Sequence, residues 1–156
     1  MKPAAHTTDL DAQQEPRISY VIARLERAVR QGINELVKPY GLTTLQYTTL
    51  SVLGRRGELS NAQLARRAYM TPQSMSEVIE ALEQKGLIER SPSPNHRRVY
   101  PAALTAKGRT VLRECDAVVD EFERTMVAGL TARQAQSLRE GLIVAVRALR
   151  AGFPGA

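Results

Sequence analysis

The 156-residue sequence predicts a mainly α-helical fold with one short β-hairpin. Three observations support this class. Apolar residues recur at three- and four-residue spacings along most of the chain, which is typical of amphipathic helices. Ser or Thr followed three residues later by Gln, a helix-capping signal, precedes three of these segments. A turn rich in Pro and Ser at 91–95 lies between two short non-helical stretches, which indicates a hairpin.

Six helices are predicted, and each has its own start or stop signal. Thr43, Ser60 and Thr131 each begin a capping box, Thr71 and Thr105 are predicted caps, and Gly86 ends the fourth helix. The predicted ranges are 17–38, 44–55, 61–68, 71–85, 105–128 and 132–150. Residues 1–15 are polar and are expected to form a disordered tail.

The hairpin is predicted between the fourth and fifth helices. Residues 87–90 form the first strand and 98–104 the return strand, on either side of the turn at 91–95. Pro101 has no N–H to donate, so we expect the return strand to lie at an edge or to carry a bulge.

Positive charge is concentrated in one segment. Residues 55–113 contain 11 Lys or Arg and 5 Asp or Glu, whereas the rest of the chain contains 11 of each sign. The net charge of +6 therefore lies within this segment. A basic segment on an otherwise neutral protein predicts a polyanionic partner such as nucleic acid.

Several classes of protein are disfavoured by composition. The single cysteine, Cys115, cannot form an internal disulfide, which favours a cytoplasmic protein. Two histidines are too few for a metal site, and no apolar run is long enough to cross a membrane. Neither a nucleophile–base pair nor a phosphate-binding Gly loop is recognisable, so we expect neither an enzyme nor a cofactor.

The fourth predicted helix has two different faces. Its apolar stripe is expected to be buried, and the opposite side near its start carries neutral hydrogen-bonding groups suited to base edges in the DNA major groove. Following a short helix and preceding a basic hairpin, this helix predicts a winged helix-turn-helix that reads DNA. The predicted base-reading residues are Thr71, Gln73, Ser74 and Ser76.

Arginines flank the predicted reading helix on both sides. Arg66 and Arg67 in the preceding helix are expected to contact phosphates. Arg97 and Arg98 follow the hairpin turn, where a protruding loop suits the strongly negative minor groove. The alternative for each of these arginines is a solvated surface charge.

A set of short runs extends from the third predicted helix to the start of the fifth. Its members are Leu64-Ala65, Val78-Ile79, Leu82-Glu83, Lys85-Gly86-Leu87-Ile88-Glu89-Arg90, Pro94, Arg97-Arg98, Leu104-Thr105 and Lys107-Gly108. With these runs the chain resembles the MarR family of transcriptional regulators over roughly 17–150. The run from Lys85 to Arg90 and the later LTAKG run are the more specific parts of the match.

The resemblance implies a homodimeric repressor that binds a pseudo-palindromic operator and is released by small phenolic or aromatic ligands. It implies that 16–42 and 106–151 form dimerisation helices around a DNA-binding lobe at 43–105, and that Arg98 enters the minor groove. His96 departs from the family, which usually has Asp there to orient that arginine. The wing, which is the predicted hairpin at 87–104, is therefore either less fixed or held through another partner. We also consider the alternative that His96 makes DNA binding by the wing pH-sensitive.

The resemblance also implies a ligand pocket between the dimer helices and the DNA-binding lobe. The predicted ligand-binding residues are Tyr20, Arg24, Tyr40 and Tyr47, because an aromatic wall and a guanidinium suit an aromatic acid. The alternative interpretation of each of these four residues is an ordinary residue at the edge of the core or on the surface. Cys115 shares an apolar stripe with its neighbours, which favours a buried, inert thiol over a redox sensor.

Two alternatives remain open. The broad apolar stripes of the outer helices favour pairing with a second copy, but they are alternatively buried by folding back on the core. A non-sequence-specific architectural DNA-binding protein is the alternative function, and it would rely on phosphate contacts alone.

Overall fold

The computed structural model describes residues 15–68, 70–95 and 98–149. These residues form six α-helices and one hairpin, which confirms the predicted fold class. Each described helix is too short or too polar to span a membrane. The elements are α1 (Ile18–Val37), α2 (Thr44–Arg56), α3 (Asn61–Ala68), α4 (Pro72–Gln84), β1 (Ile88–Arg90), β2 (Ala102–Leu104), α5 (Ala106–Met126) and α6 (Ala132–Ala148), with a 3-10 turn at Lys38–Tyr40 after α1.

The predicted caps begin the helices. In the first capping box the Thr43 hydroxyl accepts from the backbone N–H of Gln46 at 3.2 Å, and the Gln46 side chain accepts from the Thr43 N–H at 3.2 Å. Thr131 forms the same box with Gln134, and Ser60 forms the reciprocal pair with Gln63. These local pairs satisfy backbone donors that the first helical turn leaves free, which is why the sequence located the starts well.

The end of α4 is fixed by Gly86. This glycine has a φ of 70°, a left-handed conformation that residues with a Cβ rarely adopt. Its N–H donates to the Glu83 carbonyl at 2.8 Å, and the next N–H, from Leu87, donates to the Leu82 carbonyl at 3.0 Å. The paired bonds form a Schellman motif, which turns the chain sharply into β1.

The hydrophobic core lies between α2, α3, α4, the hairpin and one face of α5. The apolar stripe of α4 is buried as predicted, with Val78 at its half-buried margin. The hairpin closes the core from one side and α5 from another. The buried residues that fill it include Leu50, Leu53, Leu64, Met75, Ile79, Leu82, Leu87, Ile88, Ala102, Leu104, Leu112, Cys115 and Val119.

The return strand is shorter than the prediction of 98–104, which was wrong at its beginning. Only Ala102–Leu104 pairs as a strand, and Arg98 lies in a turn. Pro101 interrupts the ladder because it cannot donate. Irregular bonds hold the rest of the hairpin together, from the Ser91 N–H to the Pro101 carbonyl at 3.3 Å and from the Ser93 N–H to the Val99 carbonyl at 2.9 Å.

A second pairing partner of β2 was not predicted from the sequence. Leu59, in the loop before α3, forms an isolated antiparallel bridge with Ala102. The two residues exchange backbone bonds of 3.1 and 2.8 Å. This bridge ties the base of the hairpin to the loop that leads into α3.

The outer helices leave their apolar faces open. Val37 is the single buried residue of α1, and no residue of α6 within Ala132–Ala148 is buried. Ile18 is 78% exposed, Val144 64% and Leu149 81%. Folding back on the core, the alternative considered for these stripes, therefore does not cover them in a single chain.

The start of α5 approaches Leu87, the residue before β1, so closely that it requires a glycine. A Cβ at Gly108 would lie 1.9 Å from the Leu87 carbonyl oxygen, which is backbone and cannot move aside. The Thr105 hydroxyl also reaches this joint and donates to the Gly86 carbonyl at 2.7 Å.

We predict that Gly108→Ala lowers the free energy of unfolding by about 1–3 kcal/mol, because an added methyl group forces the helix and strand apart. Urea denaturation measures this change. The matched control is Gly129→Ala, whose added Cβ meets nothing within 4 Å. We expect the control to change stability by less than about 0.5 kcal/mol; equal effects at both positions would contradict the close-approach account.

Cys115 is fully buried, as the sequence predicted. Burial, followed by the charges of Asp116 and Glu114, raises the pKa of its thiol from its ordinary value of 9.0 to about 11. Since the thiolate is the reactive form, this change lowers its fraction near pH 8 about 100-fold.

We therefore predict that iodoacetamide alkylates Cys115 in the folded protein at least about 100-fold more slowly than in urea. Mass spectrometry of timed samples at pH 8 measures both rates. Rapid labelling of the folded protein would indicate an accessible thiolate and would revive the redox-sensor interpretation.

Candidate nucleic-acid interface

Helices α3 and α4 form a tightly joined pair. The Asn61 side-chain amide donates to the Pro72 carbonyl at 3.0 Å and to the Ser76 hydroxyl oxygen at 2.8 Å. Leu64 and Ala65 are buried at the contact, as their size predicted. Sequence reasoning missed Asn61 as the link between the two helices, because its partners lie 11 and 15 residues away and no local pattern indicates them.

The start of α4 presents an exposed polar surface. The Thr71 hydroxyl accepts from the Ser74 N–H at 3.1 Å and donates to the Ser74 hydroxyl oxygen at 3.0 Å. Gln73 is exposed and makes no side-chain hydrogen bond within the described part of the chain. Of the predicted base-reading groups, Gln73 is therefore the one most available to a partner.

Ser76 has a different environment from the other three predicted base-reading residues. Its hydroxyl donates to the Pro72 carbonyl at 3.0 Å while it accepts from Asn61. It is half-buried and lies on the side of α4 that meets α3. Its hydrogen bonds thus hold the helix pair together.

Charged residues surround this surface. Arg66 is exposed and Arg67 half-buried in the last turn of α3. Glu77 and Glu80 are exposed on α4 at the fourth and seventh positions after Gln73, so they share its face. Sequence reasoning missed these carboxylates, although the helical spacing was visible. Carboxylates repel phosphates, so we expect DNA binding at this face to depend on hydrogen bonds to base edges at defined positions.

The wing is tied to α4 at its base. The Arg90 guanidinium of β1 forms an ion pair with Glu83 of α4, through an Nε–Oε2 bond of 3.1 Å. That bond, opposed by partial desolvation, raises the pKa of Arg90 above its ordinary value. Further out, Arg98 is exposed, as are Val99 and Tyr100.

Two residues named for the wing, His96 and Arg97, lie outside the described residues. The predicted minor-groove role of Arg97, and the departure from the family at His96, therefore remain predictions.

The four predicted ligand-binding residues lie in different environments. Tyr20 and Arg24 lie one turn apart on α1, with the guanidinium carbon 5.8 Å from the ring centroid, a cation–π contact at an exposed site. Tyr40 is half-buried beside the core. Tyr47 is buried, and its hydroxyl donates to Asp116 Oδ1 of α5 at 2.8 Å.

The Tyr47–Asp116 bond joins α2 to α5. Burial is the main cause of a strong increase in the pKa of Tyr47, followed by the hydrogen bond to Asp116 and its negative charge. The phenol therefore stays protonated and remains a donor throughout the physiological pH range. None of the four predicted ligand-binding residues lines the cavity beside this bond.

That cavity, of about 610 Å³, lies between the end of α2, β2 and the first half of α5. Leu53, Leu104 and Leu112 provide apolar walls. Arg109 and Arg113 lie at its margin together with the carboxylates of Asp116 and Asp120. The lining thus combines an apolar surface with charges of both signs, which is suited to a small amphipathic molecule.

Helix α3 is short, α4 has one buried and one exposed face, and the hairpin is tied to α4 by an ion pair. Together these elements define a winged helix-turn-helix DNA-binding protein. A family model described as the MarR family matches residues 40–99. The HTH-type transcriptional repressor Rv2887 of Mycobacterium tuberculosis is 34% identical over 125 residues, which cover 80% of this chain and 90% of that protein.

Solved structures show the same similarity. The structure of the M. tuberculosis MarR family protein Rv2887 in complex with p-aminosalicylic acid is 33% identical, with a TM-score of 0.67, and the match covers 81% of this chain and 96% of that one. The Staphylococcus aureus MepR–DNA complex has a TM-score of 0.76 at 22% identity, covering 86% and 99%, a likeness of fold alone. The chain belongs to the MarR family and is a DNA-binding transcriptional regulator.

We predict that Gln73→Ala weakens binding to the preferred DNA sequence by about 1–3 kcal/mol and leaves binding to scrambled DNA unchanged, because the variant loses the predicted base contact and keeps the phosphate contacts that bind any sequence. Fluorescence anisotropy with both duplexes measures the ratio of the affinity for the preferred sequence to the affinity for scrambled DNA. An equal loss on both duplexes would exclude base reading by Gln73.

The matched comparison is Ser76→Ala. Since its hydroxyl joins α4 to α3, we expect this variant to lose stability and affinity while its base preference stays that of the wild type. A change of preferred base in Ser76→Ala would instead place the hydroxyl at the DNA.

Proposed function

We propose that the protein is a homodimeric repressor that binds a pseudo-palindromic operator and is released from it by a small aromatic ligand. One observation carries the proposal. A single chain presents an exposed polar reading surface on α4 while the outer helices leave wide apolar faces uncovered. Repression is the activity named for the similar relatives, including Rv2887.

The homodimer is supported by the outer helices. The exposed apolar residues of α1, α5 and α6 lie outside the lobe that contains the reading surface. Exposed apolar area of this kind on a stable protein is normally covered by a partner. A second copy with two-fold symmetry offers the same residues in return, so one interface covers both sets. The proposed boundaries are 16–42 and 106–151 for the dimerisation helices and 43–105 for the DNA-binding lobe.

The operator is supported by the geometry of α4. Its first turn is exposed, its cap residue and Gln73 point outward, and its C-terminal half is held by the core. We infer that α4 is the recognition helix, that Arg66 and Arg67 contact phosphates, and that Arg97 and Arg98 reach the minor groove. Two such lobes related by two-fold symmetry read an inverted repeat.

The ligand is supported by the cavity beside the Tyr47–Asp116 bond. Its apolar walls fit an aromatic ring, and Arg109 and Arg113 fit a carboxylate. Arg109 already donates to the Leu104 carbonyl at 2.9 Å, which leaves Arg113 as the freer partner. The related Rv2887 protein is seen with p-aminosalicylic acid, an aromatic acid with an amino group that suits the carboxylates of the cavity margin. A ligand in this cavity contacts both β2 and α5. Its binding therefore shifts the positions of the wing and of the proposed dimerisation helix together.

The proposed function is tested by selecting duplexes from a randomised pool. We expect an inverted repeat with half-site centres about 10 base pairs apart, bound at least about 10³-fold more tightly than scrambled DNA. Placing the recovered site at a promoter in a cell-free transcription assay then tests repression. Binding without an enriched motif would favour the architectural alternative, because phosphate contacts alone do not discriminate sequence.

The ligand is tested with p-aminosalicylic acid as the probe. We predict that it lowers operator affinity, and that Arg113→Gln weakens this response about 10- to 100-fold in ligand concentration, since a charge-assisted hydrogen bond is lost. The matched control is Arg133→Gln on α6, an exposed arginine that does not line the cavity. An identical response in both variants would place the ligand elsewhere.

A further inference from the structure

The C-terminal end of α4 is tied to the elements that precede and follow the DNA-reading lobe. The Lys85 ammonium donates to the Gly41 carbonyl, in the turn after α1, and to Gln46 Oε1 of α2 at 2.9 Å. The Lys85 carbonyl accepts from the Lys107 ammonium, at the start of α5, at 2.9 Å. One residue thus connects α4 to both flanking parts of the chain.

The oxygens that Lys85 reaches are held in place before it binds them. Gly41 has a φ of 69° and donates its N–H to the Lys38 carbonyl at 2.9 Å, which fixes the turn. The Gln46 oxygen also accepts from the Thr43 N–H in the capping box. Lys85 therefore joins α4 to a rigid pair of acceptors and not to a freely moving loop.

Lys85 is exposed, so these bonds contribute little to folding compared with the buried stripe of α4. Their effect is on orientation. The helix of 13 residues is about 20 Å long, so a tilt of about 5° about its C-terminal end displaces the reading end by roughly 2 Å. Such a displacement breaks hydrogen bonds to base edges, whose useful range is a few tenths of an ångström.

We propose that Lys85 is a positioning residue that fixes the angle between α4 and the α1–α2 turn, and thereby the half-site spacing that the dimer accepts. This inference rests on the proposed operator-binding function. If the ammonium instead bound a phosphate, it would act at the DNA, and the two roles differ in their salt dependence.

The experiment compares Lys85→Met with wild type on the selected operator and on versions with one base pair added to or removed from the spacer. One base pair turns a half-site by about 34° and moves it about 3.4 Å. We expect wild type to lose about 10-fold or more in affinity on either altered spacer. We expect Lys85→Met to bind the operator with the original spacer several-fold more weakly than wild type does. On the altered spacers, this variant should lose less than about 3-fold in affinity relative to its own affinity for the original spacer.

The controls separate positioning from other roles. Lys38→Met removes an exposed lysine that makes no side-chain bond among the described residues, and it should keep the wild-type spacing preference. Lys85→Arg keeps a charged donor and should restore that preference. The salt slope of Lys85→Met should equal that of wild type. Thermal melts check folding, and Lys85→Gln replaces Lys85→Met if the latter is unstable.

Each outcome decides between roles. An unchanged spacing preference in Lys85→Met beside a discriminating wild type overturns this inference alone. If Lys85→Met lowers the slope of log affinity against log salt concentration by about one, Lys85 is a phosphate contact, and this result also overturns the inference. A wild type that recovers no motif removes the proposed function, and this inference with it.

Discussion

The structure depends on one crowded joint, where the end of α4, the start of β1 and the start of α5 meet. Gly86 turns the chain with a left-handed backbone, and Gly108 lets the helix approach to within contact of the Leu87 carbonyl. Thr105 both caps α5 and donates to the Gly86 carbonyl. Because backbone meets backbone here, we expect a movement of α5 to displace the end of α4 and the start of β1 as well.

The distribution of buried residues divides the chain into two kinds of helix. The helices α2, α3 and α4 contribute buried residues to the core, whereas α1 has a single buried residue and α6 has none within Ala132–Ala148. Helices with open apolar stripes are stabilised by packing more than by intrinsic propensity. In the proposed dimer, the surfaces that stabilise the outer helices also set the distance between the two DNA-binding lobes.

Local signals made most of the fold predictable from the sequence. Caps at Thr43, Thr71 and Thr131 and the glycine at 86 act within a few residues, so their pattern is visible without tertiary structure. The fold class and the apolar stripe of α4 followed from periodicity for the same reason. The family resemblance rested on runs near the hairpin, which also carry this local information.

Features that join distant segments were not predictable in the same way. The bridge between Leu59 and Ala102 gives the return strand a second pairing partner, and no local sequence pattern predicts it. The hydrogen bond from the Tyr47 hydroxyl to Asp116, which is 69 residues away in sequence, was not predicted. Lys85 reaches an acceptor 44 residues earlier. Each of these contacts depends on how the helices cross, which one sequence does not reveal.

The most direct test of the account is the stoichiometry of the protein, free and on DNA. Sedimentation equilibrium of the free chain, followed by titration of the selected duplex and hydroxyl-radical footprinting, measures it. The account predicts the mass of two chains in solution, two chains per duplex, and a footprint with two-fold symmetry. A stable free monomer that binds one per duplex with an asymmetric footprint would contradict it, because the uncovered faces of α1 and α6 would then need another explanation.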